Sequence, residues 1–272
     1  MSDDIVLLKD IPSTLTESVA HDLVAYTVGF IRVEGPNVDL LGSGVLVSAG
    51  AKRAIMTAHH VIDVLPKTGR LCIMLERTRE PHTIDTSGLA FVHIAKGKRE
   101  SEGPDLGAVV LAPSIAAAIG AKKSFFALDA KRDQMLSNPL EWCDGMWCAQ
   151  GFLEERAVVT PDPDGRGRTT GFYNFTGVGG PEATIERDGH DYFEFPVAYE
   201  ARPTAPVSWG GMSGGGLWQV PFKRQGDSYV HLRPLLSGIL FYQWPTTESK
   251  CGVRAHGRQS VYRMAYNAII GK

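Results

Sequence analysis

One serine stands inside a run of glycine. Residues 210–218 read GGMSGGGLW, with five glycines around Ser213 within seven positions. Glycine this dense adds nothing to a core. It lets the backbone take positive φ and approach another group closely. A serine in such a bend projects its hydroxyl while neighbouring N–H groups converge on one point. Acyl transfer needs that pairing, a nucleophile beside donors for an oxyanion. The plainer reading of the segment is a flexible Gly-Ser turn.

Two further segments carry groups that could serve such a serine. In TAHHVID, residues 57–63, an apolar strand RAIMTA runs into His59 and His60. Imidazole is the side chain best matched to general-base work near neutral pH. Neighbours on a strand face opposite ways, so the two histidines are not expected to share a role. In PDLGAVVL, residues 104–111, Asp105 precedes a strongly apolar strand. Buried there it needs a partner, and an imidazole N–H is a suitable one. Each segment alone has a plainer reading, a structural histidine or a turn aspartate. Together they fall in the order His, Asp, Ser, each at a strand boundary.

The elements that must position these groups are mostly short strands. The pattern predicts them over 24–33, 41–48, 53–58, 71–76, 89–94 and 106–111. A second set follows over 146–151, 155–160, 192–199, 215–219, 229–233 and 235–242. Helical signals are few: one or two turns at 61–65 stopped by Pro66, a short helix at 114–121, and a C-terminal helix over 259–269. Many short strands with few helices argue for barrels or a sandwich. The polar stretch 122–141 separates the two strand sets and reads as a connector. The stretch 161–190, rich in Gly, Pro, Asp and Arg, reads as a long loop or hairpin.

Composition bounds the partners. The 272 residues carry 28 basic and 30 acidic side chains, a formal charge of −2, and the one basic cluster, Lys96 to Arg99, is followed by Glu100. No nucleic-acid partner is expected. The first residues do not read as a secretory leader, and no apolar run reaches the ~18–20 residues of a membrane span. A soluble, cytoplasmic protein with no membrane partner is expected. Cys72, Cys143, Cys148 and Cys251 do not form a zinc-ligand spacing and read as free, largely buried thiols. No metal or cofactor is expected.

Four ordered motifs carry a family resemblance: Gly42-Ser43-Gly44-Val45-Leu46-Val47, Thr57-Ala58-His59-His60-Val61-Ile62, Asp105-Leu106-Gly107-Ala108 and Gly211-Met212-Ser213-Gly214-Gly215. Through them the sequence resembles the chymotrypsin/trypsin-like serine peptidases (the PA clan), particularly the bacterial branch that includes the HtrA/Deg proteases. The resemblance spans roughly residues 25 to 245. It implies an all-β fold of two six-stranded antiparallel barrels. The first would cover 20–121 with His60 and Asp105, and the second 142–258 with Ser213. The stretch 122–141 would connect them, and a C-terminal helix would close the chain at 259–272. It also implies that His60, the histidine before Val-Ile, is the general base, Asp105 its orienting carboxylate and Ser213 the nucleophile. The oxyanion hole would come from the N–H groups of Gly211 and Ser213.

The resemblance further implies a substrate pocket of Val207, Ser208, Phe241, Tyr242 and Gln243. With no acid at Val207, a small or medium apolar side chain is expected before the scissile bond, not Lys or Arg. Met212 stands where animal digestive members carry the aspartate that pairs with a newly cut N-terminus, so that activation route is not expected. Gly216 stands where many relatives have proline. The expected function is an intracellular serine endopeptidase acting on protein or peptide substrates, regulated by a partner or by loop ordering. The alternative is a catalytically silent peptide-binding or regulatory module on the same fold. An α/β-hydrolase esterase disagrees with both the triad order and the strand pattern.

Overall fold

The computed structural model describes residues 10–35, 37–75, 81–99, 101–141, 143–161, 168–197, 206–226, 228–244 and 251–271. Among the described residues the first elements are α1 (Ser13–Val24), then β1 (Thr27–Glu34), β2 (Asn37–Ala49), β3 (Lys52–Thr57), α2 (His59–Val64), β4 (Arg70–Met74), β5 (His82–Asp85), β6 (Leu89–Lys96) and β7 (Asp105–Leu111). After α3 (Pro113–Gly120), β8 (Phe126–Ala127) and α4 (Asp129–Ser137) come β9 (Met146–Pro161), β10 (Arg168–Gly179), β11 (Ala183–Arg187) and β12 (His190–Val197). The last part holds β13 (Gly216–Val220), β14 (Phe222–Gln225), β15 (Ser228–His231), β16 (Leu235–Trp244) and β17 (Cys251–His256). A π-helical turn (Ser260–Ala265) then leads into α5 (Tyr266–Ile270).

The protein is mostly β. One sheet runs β5-β4-β1-β2-β3-β7-β6 with β8 added in parallel to β2; a second runs β10-β9-β13-β16-β17-β12-β11; β14 and β15 form a separate ribbon. All other pairings given for these sheets are antiparallel. Register shifts at Phe30/Ile31, His93/Ala95, Leu217/Trp218 and Leu240/Tyr242 put bulges where the sheets curl. The expected six-and-six division is not what the described residues present. Those sheets have eight and seven strands, because the connector contributes β8 and the long 161–190 stretch is itself strand-rich.

Buried apolar side chains from both sheets meet in one core. Val45, Val47 and Met56 of the first sheet pack in the same cluster as Cys148, Trp218, Leu236 and Ile239 of the second. Tyr262 of the C-terminal segment joins them and donates its hydroxyl to the Leu236 carbonyl at 2.8 Å. α1 was not foreseen. Its Leu15, Val19 and Leu23 recur every fourth residue and are all buried, so tertiary packing of that face holds it. The 122–141 stretch holds β8 and α4. One expectation is corrected: Cys143 is exposed rather than buried, while Cys148 is buried with its thiol pushed up to about 12 by desolvation. No helix among the described residues is long and apolar enough to cross a membrane.

Candidate active site

His60 and Asp105 meet because β3 and β7 are paired. Their register sets Thr57 opposite Gly107, which brings the end of β3 and the start of β7 to one edge of the sheet. The chain leaves β3 through extended Ala58 and turns at once into α2, so both histidines lie in a first helical turn and not on a strand end. They still diverge, about 100° apart around the axis. His59 is buried and His60 half-exposed. The His60 Nδ1–H donates to Asp105 Oδ2 at 2.5 Å, and the His60 backbone N–H donates to Oδ1 at 2.9 Å. Both carboxylate oxygens are thus committed to one residue. The imidazole is 34% exposed and the carboxylate 6%, so the ring reaches solvent from a buried anchor. Burial pushes the Asp105 carboxyl up. The His60 ring bond, the imidazole charge and the His60 N–H outweigh it and hold the group below the usual carboxylate range.

Behind Asp105 lies a third histidine. The Asp105 backbone N–H donates to Nε2 of His256, which is fully buried at the end of β17, 4.8 Å from the Phe241 ring. Burial, then neighbouring His190, lower its pKa to about 3, against the opposing pull of Asp105. His256 is therefore a neutral acceptor at ordinary pH.

The glycine-rich turn is fixed at several points. Gly211 and Gly214 have φ of 88° and 87°, the left-handed region that glycine occupies without strain. Met212 N–H bonds Trp209 O, Gly215 N–H bonds Met212 O and Gly214 N–H bonds Leu240 O, at 3.0, 2.8 and 2.7 Å. The Met212 side chain is buried in a cluster with Trp147, Trp209 and Leu240, so it anchors the turn from below. From the first sheet, Ser43 N–H donates to Ser213 O at 2.7 Å. Its hydroxyl donates to Gly211 O at 2.6 Å and accepts from Phe152 N–H at 2.8 Å, and Thr57 Oγ1 donates to Ser43 O at 2.7 Å. The Ser213 turn and the His60 turn are in contact through β2. A methyl group on Gly42 would lie 2.6 Å from the Val61 side chain and 3.1 Å from Ser213 O.

Gly214 allows a sharp test of that contact. A Cβ there would meet Thr57 Oγ1 at 2.0 Å and Ser43 O at 2.1 Å, on a positive φ. Gly214→Ala is expected to cost about 3 kcal/mol of stability, from backbone strain plus overpacking. Gly226→Ala, with φ 63° and open space around it, is expected to cost only about 1 kcal/mol. Urea unfolding of the two variants checks the difference.

The backbone N–H groups of Gly211 and Ser213 have no assigned acceptor among the described residues. Next to Ser213 opens a cavity of about 120 Å³ lined by Trp209, Gly210, Met212, Leu240, Phe241, Tyr242, Gln243 and Val253. Of the five expected pocket residues, Phe241, Tyr242 and Gln243 line it. Val207 and Ser208 do not: Val207 is exposed, and Ser208 N–H is held by Glu155 Oε2 at 2.5 Å. Gln243 clamps that segment, accepting from Trp209 N–H and donating to Val207 O, both at 2.9 Å.

No family model matches this chain, and neither does any curated protein. Among solved structures, it is similar to one from work on how aromatic interactions drive the coupled folding and binding of the intrinsically disordered Sesbania mosaic virus VPg protein. The identity is 13%, 88% of each chain is covered, and the TM-score is 0.46. That likeness is too distant to carry a functional argument.

Sequence reasoning quoted Ser43 and Thr57 within its motifs but gave them no role in the site, and it missed His256. Ser43 had a signal, since it lies between Gly42 and Gly44, two glycines that admit close neighbours. His256 had none.

Proposed function

We propose that this chain is a serine endopeptidase of the chymotrypsin-like type, built on two β-barrels, with Ser213 as nucleophile, His60 as general base and Asp105 as the orienting carboxylate. The observation that carries the reading is the double hydrogen bond from His60 to a buried Asp105; Gly42, close to both Val61 and the Ser213 carbonyl, links that pair to the turn that bears Ser213. With its Nδ1–H bound to the carboxylate, the ring leaves Nε2 as the basic nitrogen. His60 takes the Ser213 hydroxyl proton as Oγ attacks a peptide carbonyl. The carbonyl π electrons move onto oxygen, where the Gly211 and Ser213 N–H groups receive the charge. Collapse expels the amine, which takes the proton from His60. Water, deprotonated by the same ring, then cleaves the acyl-enzyme and restores the serine.

The cavity beside Ser213 is walled mainly by apolar side chains and backbone, and no acidic residue lines it among the described residues. This supports an apolar side chain before the scissile bond. A fluorophosphonate probe tests the proposal. It is expected to label the wild type on one residue and to fail on Ser213→Ala. Labelling of that variant at the wild-type level would refute the assignment.

A further inference from the structure

Three side chains outside the proposed triad converge beside α2. His59 and Asp63 are four residues apart and share a helix face, with His59 Nδ1 3.4 Å from Asp63 Oδ2. His93 reaches in from β6. Its Nδ1 lies 2.8 Å from His59 Nε2 and 3.9 Å from Asp63 Oδ1. One donor atom from each residue can be chosen so that all lie within 4.8 Å of one another. We propose that His59, Asp63 and His93 bind one zinc ion.

The chemistry fits. Two imidazoles and one carboxylate are a borderline donor set suited to zinc and its first-row neighbours, and unsuited to calcium or magnesium. Bonds of ~2.0–2.1 Å at tetrahedral angles place donor atoms about 3.3 Å apart; with one donor atom taken from each residue the present set lies within 4.8 Å, so side-chain rotation of exposed Asp63 and His93 would close it around an ion. Three protein ligands leave the fourth position to water. His59 is 6% exposed and is held rigidly, whereas Asp63 and His93, at 39% and 47%, open the site to solvent. A cation already rests on the cluster: Lys96 Nζ lies 2.7 Å from Asp63 Oδ2 and is 64% exposed, so it can swing away. An ion here would tie β6 to α2, the helix that carries His60 in its first turn.

The site shares no residue with His60, Asp105 or Ser213, so it stands or falls apart from the hydrolytic reading. The test is calorimetric titration of zinc chloride into the full-length, chelator-treated protein. One equivalent is expected to bind, with a rise in Tm. His93→Ala and Asp63→Asn are each expected to weaken binding more than ~10-fold. Lys96→Met is expected to tighten it, and Ser213→Ala to leave it unchanged. Both weakening variants alter half-exposed side chains, and far-ultraviolet circular dichroism confirms that they fold. Failure of the wild type to take up zinc would overturn the proposal and leave His59 hydrogen-bonded to His93 and within ion-pair distance of Asp63. So would uptake that survives both substitutions, which would put the ion on other groups such as exposed Cys143.

Discussion

Asp105→Asn is expected to slow acylation of Ser213 by about ten-thousand-fold while leaving the fold intact. The reason lies in the two bonds that Asp105 makes. Its Oδ1 accepts from the His60 backbone N–H and its Oδ2 from the imidazole Nδ1–H. Asparagine keeps one oxygen, which can still serve the backbone. Its amide nitrogen then faces Nδ1 as a donor. The ring answers by moving its proton to Nε2, the nitrogen that must accept from serine. The lost factor corresponds to about 5 kcal/mol of transition-state stabilisation. Second-order rates of fluorophosphonate labelling, for wild type and variant, measure it. A variant within tenfold of the wild type would mean that the carboxylate does not set the tautomer, and the triad assignment would fail.

The groups in this prediction were legible in the sequence, and the reason is physical. Side chains of the kind proposed to react must be presented by short apolar strands and by backbone that bends sharply. Both leave local marks, RAIMTA before His60 and the glycines around Ser213. The supports were less legible because they act across the chain. Ser43 holds Gly211 and Ser213 from a strand some 170 residues earlier, and the flanking glycines that mark it do not say which distant turn it bonds. His256 closes the back of Asp105 only because the second sheet places β17 between β16 and β12. The pocket shows a third kind of limit. Counting back from Ser213 expects Val207 and Ser208 on its wall, whereas Trp209 and Gly210 line the cavity beside Ser213, and Gln243 and Glu155 bond Val207 and Ser208. The helical repeat of Leu15, Val19 and Leu23 was present but diluted by Thr, Glu, His and Asp, and burial against the sheets decided it.

His256 is expected to make this protein acid-sensitive well above the carboxylate range. In the unfolded chain an imidazole titrates near 6.5. In the folded protein burial, then neighbouring His190, hold His256 at about 3 against the opposing pull of Asp105. Below pH 6.5 the unfolded state binds a proton that the folded state refuses. Stability from this residue is therefore complete above pH 6.5 and falls as pH drops toward 3. Each pH unit in that window costs about 1.4 kcal/mol, so the loss from 6.5 to 5 is about 2 kcal/mol and the full loss about 4–5 kcal/mol. His256→Gln supplies an amide oxygen that can accept from Asp105 and does not titrate. Buried His59 and half-buried His82 also have lowered pKa values, and they contribute equally to both proteins. The difference between wild type and variant thus isolates His256. Urea unfolding at pH 7.5, 6 and 5 should show the wild type losing about 2 kcal/mol more than His256→Gln. Parallel curves would mean that the ring is hydrated or charged in the folded state. Protonation would also replace the acceptor of Asp105 N–H with a donor, so labelling of Ser213 should decline across the same interval before the protein unfolds.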